Sequence, residues 1–170
     1  DEFFGGYKRY KAISKLNKWK ILSFLPGLIG TSGTQNFKAL RVQRFLNAIA
    51  QKSDAITNAL LLTMESRYTN PTRVFNEDFM QQCDQNNPFQ KFEEVYHEYS
   101  DKMDKAQRLF FTDTQIILKD TYFEKVDKAT MANSIEVRVP FVDKNLAEFM
   151  LSVPSTLKIK NGTQKYLLKK

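Results

Sequence analysis

The constraint that shapes this chain most is a proline set between two helical patterns. From Met103 to Asn133 apolar residues recur at helical steps, with Leu109, Phe110, Ile116 and Ile117 on one side and Asp and Lys interspersed. This run is expected to bend or break near Asp120 to Tyr122. Val139-Pro140 then forces an extended backbone, because the proline ring clashes with a helical residue before it. Beyond it, Asp143 is placed to cap a helix that carries Leu146, Phe149, Met150 and Val153 on one face, and Pro154 ends that helix.

The same periodicity governs the first half. Ala39, Val42, Phe45, Leu46, Ile49 and Ala50 fall at steps of three and four, as do Ile56, Ala59, Leu60, Thr63 and Met64 after a Ser53 cap. Two successive amphipathic helices are expected, each covering the other's apolar face. Pro26-Gly27 and Gly30 to Gly33 mark a loop before them, and Asn70-Pro71 closes the second. Phe75 to Cys83 suits a shorter helix, and Asn87-Pro88 opens another with proline in its first turn. Near the C-terminal end, Leu157-Lys-Ile-Lys160 alternates like a short strand before an Asn161-Gly162 turn, so at most one small β element is expected. Thr163 is expected to cap a last helix with Lys165 in its first turn. The pattern as a whole predicts a mainly α domain.

Size and charge narrow the possibilities. A chain of 170 residues with 42% apolar residues can bury one core. No run approaches the roughly 18 uninterrupted apolar residues of a membrane helix, and the chain opens on two acids rather than on a signal-like segment, so it reads as soluble. A single cysteine, Cys83, excludes an internal disulfide and suits a reducing, cytoplasmic compartment. The net charge of +7 is concentrated at the ends: residues 1–20 and 151–170 together carry +9, and the residues between them carry −2. A nucleic-acid binder would more often show a basic stripe along one element. Two basic ends could instead converge on one anion, with phosphate the obvious candidate.

Three motifs resemble one family. The opening Asp1-Glu-Phe-Phe-Gly-Gly-Tyr-Lys-Arg-Tyr10, the central Tyr122-Phe-Glu-Lys-Val-Asp-Lys-Ala-Thr-Met-Ala-Asn-Ser-Ile-Glu-Val-Arg-Val-Pro-Phe-Val-Asp143 and the closing Gly162-Thr-Gln-Lys-Tyr-Leu-Leu-Lys169 are similar to the synthetase half of the glutamine-hydrolysing asparagine synthetases. The resemblance covers about the first 10 and the last 50 residues; residues 21–120 match only as helices. It implies the helical, C-terminal part of an adenine-nucleotide α-hydrolase-like synthetase domain, of the PP-loop ATP pyrophosphatase type. The 170 residues are then a single partial domain, without the pyrophosphate loop and without the N-terminal glutaminase domain. Those parts of the same polypeptide are its implied partners, with small-molecule substrates, no membrane and no expected nucleic acid; a homodimeric parent is left open. The implied reaction is adenylation of aspartate by ATP with Mg²⁺, then attack of glutamine-derived ammonia to give asparagine. A relative that amidates another carboxylate, such as a sugar acid, or a ring-closing β-lactam-synthetase type is the alternative within the class. A non-catalytic helical module with basic termini is the alternative outside it. The isolated chain is expected to be inactive and to bind neither ATP nor Mg²⁺ tightly.

Site residues follow from the resemblance position by position. The carboxylate matching Asp1 helps hold Mg²⁺, a hard cation that takes oxygen ligands, and Glu2 stands beside it as a nucleotide-side acid. Without the resemblance, two acids at a helix start would only favour the macrodipole. Lys165 matches the lysine that contacts the pyrophosphate of ATP, and a lysine at a helix start asks for a nearby anion. Gly5-Gly6 reads as close packing within a helix. Asp127, Glu136 and Arg138 read as a buried polar cluster, with substrate contact by Arg138 as the alternative because a guanidinium can grip a carboxylate bidentately. No residue is assigned a catalytic role. His97, alone among Glu94, Tyr96, Glu98 and Tyr99, reads as a surface helix position, and Cys83 has no neighbouring base to activate it. Phe89, Phe92, Tyr96 and Tyr99 recur at helical steps and read as core.

Overall fold

The computed structural model describes residues 1–13, 37–62, 76–83 and 89–169. The loop signals at Pro26-Gly27, Gly30 to Gly33, Asn70-Pro71 and Asn87-Pro88 lie outside the described residues, as do Thr63 and Met64. The chain divides into two compact units, Ala12–Glu94 and a larger one made of Asp1–Lys11 with Val95–Lys170. Helices α1 (Lys8–Ile13) and α5 (Gln90–Glu98) run across the two boundaries.

The smaller unit contains α2 (Phe37–Ile49), α3 (Asp54–Leu62) and α4 (Glu77–Cys83). Ser53 caps α3 as expected, its Oγ accepting from the Ile56 amide at 3.4 Å. The Thr57 hydroxyl lies 3.0 Å from the Ala48 carbonyl and 2.9 Å from that of Ser53, which ties the end of α2 to the first turn of α3. Small buried residues, Ala48, Ala55 and Ala59, let the two backbones approach. Val42, placed by periodicity on the apolar face, is instead half exposed.

In the larger unit, α6 (Lys105–Asp113) begins at a reciprocal cap. Asp104 accepts from the amides of Ala106 and Gln107, both at 2.9 Å, and the Gln107 side chain accepts from the Asp104 amide at 3.0 Å. The helix does not break near Asp120. It widens into a π-helical stretch, Thr114–Phe123, and returns to α geometry in α7 (Glu124–Met131). At that junction Thr112 and Thr114 donate to the carbonyls of Arg108 and Phe111, at 2.8 and 2.7 Å, competing locally for the helix's own acceptors.

The chain then runs extended through Val139, at φ −113° and ψ 93°, into a short 3-10 turn, Pro140–Val142. Asp143 caps α8 (Lys144–Ser152) by accepting from the amides of Asn145 and Leu146 at 3.0 and 3.2 Å. The alternation at Leu157 to Lys160 does not produce a strand. Ser155–Lys158 forms one helical turn, α9, launched by Pro154, and only an isolated antiparallel bridge joins Lys160 and Thr163 around Asn161-Gly162. Thr163 is therefore spent on that bridge rather than on a cap, and the last helix shrinks to a 3-10 turn, Tyr166–Leu168. The architecture is mainly helical, and no strand occurs among the described residues.

The N-terminal turn is anchored by apolar packing. Phe3 and Phe4 are buried with Met150 and Val153 of the α8 region, flanked by Leu118, Val142 and Leu146, and Phe4 meets Phe141 edge-on at 6.0 Å. Each such buried side chain contributes about 1.5–3 kcal/mol. The acidic residues immediately before Phe3 are thereby fixed against the helical body.

Candidate functional site

Residues at the two ends of the sequence meet in the larger unit. Phe3 and Phe4 seat a tight turn closed by a 2.9 Å hydrogen bond from the Gly6 amide to the Asp1 carbonyl, with Gly5 in the left-handed region at φ 66°. Gly5-Gly6 is thus a turn preceding α1, not part of a helix. The Gln164 side chain donates to the Gly6 carbonyl at 2.9 Å across 158 positions of sequence. The next residue, Lys165, is itself left-handed at φ 53° and ψ 39°. A side-chain-bearing residue pays about 1–3 kcal/mol for such a conformation, which persists only where its surroundings fix it. From there its ammonium reaches over Gly6 and forms an ion pair with Asp1.

The close packing expected of Gly5-Gly6 is found at Gly6, though in a turn rather than in a helix. A Cβ there would stand 2.5 Å from Lys165 Cε and 2.7 Å from Asp1 Cγ, so only glycine leaves room for the lysine stem to cross the turn. Asp1, Glu2 and Lys165 form the charged end of a cleft of about 310 Å³, whose remaining walls, among them Phe4, Leu118, Val139, Phe141 and Leu168, are apolar.

Glu2 is 4% exposed. Burial alone would raise its carboxyl above the ordinary value, but hydrogen bonds, the foremost from Tyr7 Oη to Glu2 Oε1 at 2.6 Å, together with the charge of the Asp1 α-ammonium hold it below. Burial, the Glu2 carboxylate and Tyr122 together push the Tyr7 phenol far up. Behind Tyr7, the Arg9 guanidinium lies 4.0 Å from the centre of its ring. Arg9 and the Tyr10 hydroxyl both donate to Asp113, which is wholly buried at the end of α6. Tyr10 also meets Phe110 at 4.5 Å between ring centres. Asp113 was legible in principle: it shares the apolar face of Leu109, Phe110, Ile116 and Ile117, and a carboxylate on such a face requires a buried partner.

A second buried charge stands nearby. Lys158 is 1% exposed, its ammonium has no hydrogen-bond partner among the described residues, and it lies 5.2 Å from the centre of the Phe110 ring. Burial pushes the amine down to about 8, against the opposing attraction of Asp104.

The expectation of a buried polar cluster at Asp127, Glu136 and Arg138 is overturned, since all three are exposed. Glu136 and Arg138 do share a face of the extended segment and pair at 2.9 Å, yet their side chains are 73% and 85% exposed. Asp127 faces out from α7 and every residue from 131 to 141 is exposed, so these side chains meet water rather than buried partners. The cleft takes Val139 from this stretch for its wall, and Arg138 projects elsewhere. His97 is exposed on α5, as expected. Tyr96 is buried, whereas Tyr99 is 37% exposed rather than core.

The family model described as asparagine synthase matches residues 1–170. The chain belongs to the asparagine synthase family. It is 29% identical over 179 residues to asparagine synthetase [glutamine-hydrolyzing] 1 of Bacillus subtilis, a match covering 100% of this chain and 26% of that protein. It is 28% identical over 181 residues to a putative asparagine synthetase [glutamine-hydrolyzing] of Mycobacterium bovis, covering 100% of this chain and 25% of the relative. The asparagine synthetase [glutamine-hydrolyzing] of Gallus gallus matches 34% of the chain and 11% of its own length at 41% identity over 61 residues. The chain spans about a quarter of the length of the relatives it matches throughout. No solved structure matches it. Membership agrees with the helical architecture, which is consistent with an adenine-nucleotide hydrolase-like synthetase domain. No helix among the described residues is long and apolar enough to cross a membrane.

Proposed function

We propose that this chain supplies one wall of the ATP site of an asparagine synthetase, with Asp1 toward Mg²⁺ and Lys165 toward the pyrophosphate of ATP. The observation that carries this reading is the meeting of Asp1 and Lys165 across Gly6, an acid and a base from opposite ends of the sequence in one cleft. The donor set fits the metal. Two carboxylates, Asp1 and Glu2, line the cleft, and no cluster of three or more His, Cys, Asp or Glu side chains able to hold a metal occurs among the described residues. Mg²⁺ is commonly held in this way, by one or two carboxylates with phosphate oxygens and water completing the shell. Bound there, it neutralises charge on the phosphate oxygens.

In the proposed reaction a carboxylate oxygen of aspartate bonds to the α-phosphorus of ATP and pyrophosphate leaves; ammonia from glutamine then attacks the activated carbonyl and AMP leaves. Lys165 holds the departing pyrophosphate by its charge, and its preset left-handed backbone avoids reorganisation during the step. Glu2, fixed by Tyr7, keeps the acidic side of the cleft ionised. Arg138, presented outward beside Glu136, is proposed to grip a substrate carboxylate. The remainder of the site belongs to the pyrophosphate-loop half and the glutaminase domain of a longer, cytoplasmic polypeptide.

The test is ATP–pyrophosphate exchange with aspartate in a polypeptide carrying the entire synthetase region. Asp1→Asn and Lys165→Met should each lower exchange at least about 100-fold, the scale of lost oxyanion-type stabilisation. Exchange dependent on a sugar acid instead of aspartate would move the reading to another amidating member of the class. Titration of the 170-residue chain with ATP and Mg²⁺ should show no micromolar affinity; finding one would overturn the view that the site is shared with other segments.

A further inference from the structure

Asp1 and Lys165 act as each other's counter-ions, and that arrangement has a consequence for how the cleft fills. A divalent cation arriving alone at the Asp1 carboxylate must displace or repel the Lys165 ammonium, whose stem crosses over Gly6. A polyphosphate arriving alone at Lys165 meets the Asp1 and Glu2 carboxylates. When both arrive, the metal replaces the ammonium at Asp1 and the phosphate replaces the carboxylate at Lys165, so neither side is left unpaired. Gln164, bonded to the Gly6 carbonyl, holds the lysine and the acidic turn in this register.

We propose that the Asp1–Lys165 ion pair is a counter-ion switch that makes this cleft take up a divalent cation and a polyphosphate together and discriminate against either alone. The proposal rests on the ATP-site reading above and adds the coupling between the two ligands. By linkage that coupling is reciprocal: whatever the metal adds to phosphate affinity, phosphate adds to metal affinity.

The test uses a ¹⁵N-labelled polypeptide carrying the entire synthetase region. Mn²⁺ alone is followed by paramagnetic broadening of the Gly5 and Gly6 amides, and pyrophosphate alone, in EDTA, by shifts of the same amides. Lys165→Met should bind Mn²⁺ about fivefold more tightly than wild type, the lower end of typical coupling strengths, and Asp1→Asn should bind metal-free pyrophosphate more tightly by a similar factor. Lys165→Arg, which keeps the cation, should behave as wild type. Lys169→Met, at an exposed lysine nearby, should leave both affinities within about twofold, because solvent screens such a charge. If Mn²⁺ broadens Gly5 and Gly6, is lost in Asp1→Asn, and binds Lys165→Met no more tightly than Lys169→Met, the switch is wrong and the ATP-site reading stands. If Mn²⁺ broadens these amides in none of the proteins and pyrophosphate shifts them in none, both fall.

Discussion

Two regions of the larger unit carry the strongest family motifs, and they differ in how they are held. The N-terminal turn and the Gly162 to Lys169 segment are cross-tied by Gln164 on Gly6, Lys165 on Asp1 and the Phe3–Phe4 core, with Tyr7, Arg9, Tyr10 and Asp113 behind them. The stretch from Glu124 to Phe141 is the opposite. Most of it is exposed, including Val126, Met131, Ile135, Val137 and Phe141, and its polar pair, Glu136–Arg138, lies in solvent. A distinctive motif is therefore no guide to burial: the two terminal motifs are fixed inside their unit, and the central one contributes little to it.

The contrast is sharpest at Asp113. Asp113→Ala removes the buried carboxylate shared by Arg9 and Tyr10 and should cost about 3–5 kcal/mol in urea denaturation. A loss below about 1 kcal/mol, the level of an exposed pair, would erase the distinction between the two regions.

Lys158 tests the tied region from the other side. Its folded-state amine is pushed from 10.5 to about 8, so folding disfavours the charged form. Below pH 8 the full penalty is present. Between pH 8 and 10.5 the unfolded chain retains the proton that the folded chain has lost, and stability rises with pH by on the order of 3 kcal/mol in total. Lys158→Met should abolish that rise and stabilise the protein at pH 7 by about 2 kcal/mol, provided the apolar side chain fills the same space. A pH–stability profile unchanged by the substitution would refute the burial of the charge.

Gly5→Ala should cost about 1–2 kcal/mol, since the residue is left-handed and a Cβ would lie 2.9 Å from Ile159 Cγ1. Arg138→Met should change stability by less than about 0.5 kcal/mol, as for other exposed positions. A cost above about 2 kcal/mol would mean that the Glu124 to Phe141 stretch packs internally after all. A stable variant that loses amide synthesis in the longer polypeptide would support the proposed substrate contact.

What sequence reading captured divides along the same line. Local physics was legible: the caps at Ser53 and Asp143, the extended Val139, and the helical faces around Leu109 and Met150 follow from nearby residues, except that Phe149, read as part of the latter face, is 62% exposed. Motif resemblance singles out Lys165 and Asp1, and the two basic ends suggest convergence on an anion; the direct pairing of Lys165 with Asp1 is what the structure adds. Non-local competition was not legible. Thr163 looked like a cap, but the Asn161-Gly162 turn claimed it for a bridge to Lys160. The π stretch depends on Thr112 and Thr114 bonding backward, a choice that helical periodicity does not reveal. Gly6 is explained by the Asp1 carboxylate together with a lysine 159 positions away, both of which a Cβ would meet, and the exposure of Arg138 is not foreshadowed by its motif.

The most direct test of the shared cleft is zero-length carbodiimide coupling, which joins a carboxylate to an amine only when they touch, followed by peptide mass spectrometry. The account predicts a covalent link between Asp1 and Lys165, suppressed by Mg²⁺ with pyrophosphate. The exposed Glu124–Lys128 pair serves as an internal control whose link is unaffected. A Glu124–Lys128 product without any Asp1–Lys165 product would contradict it.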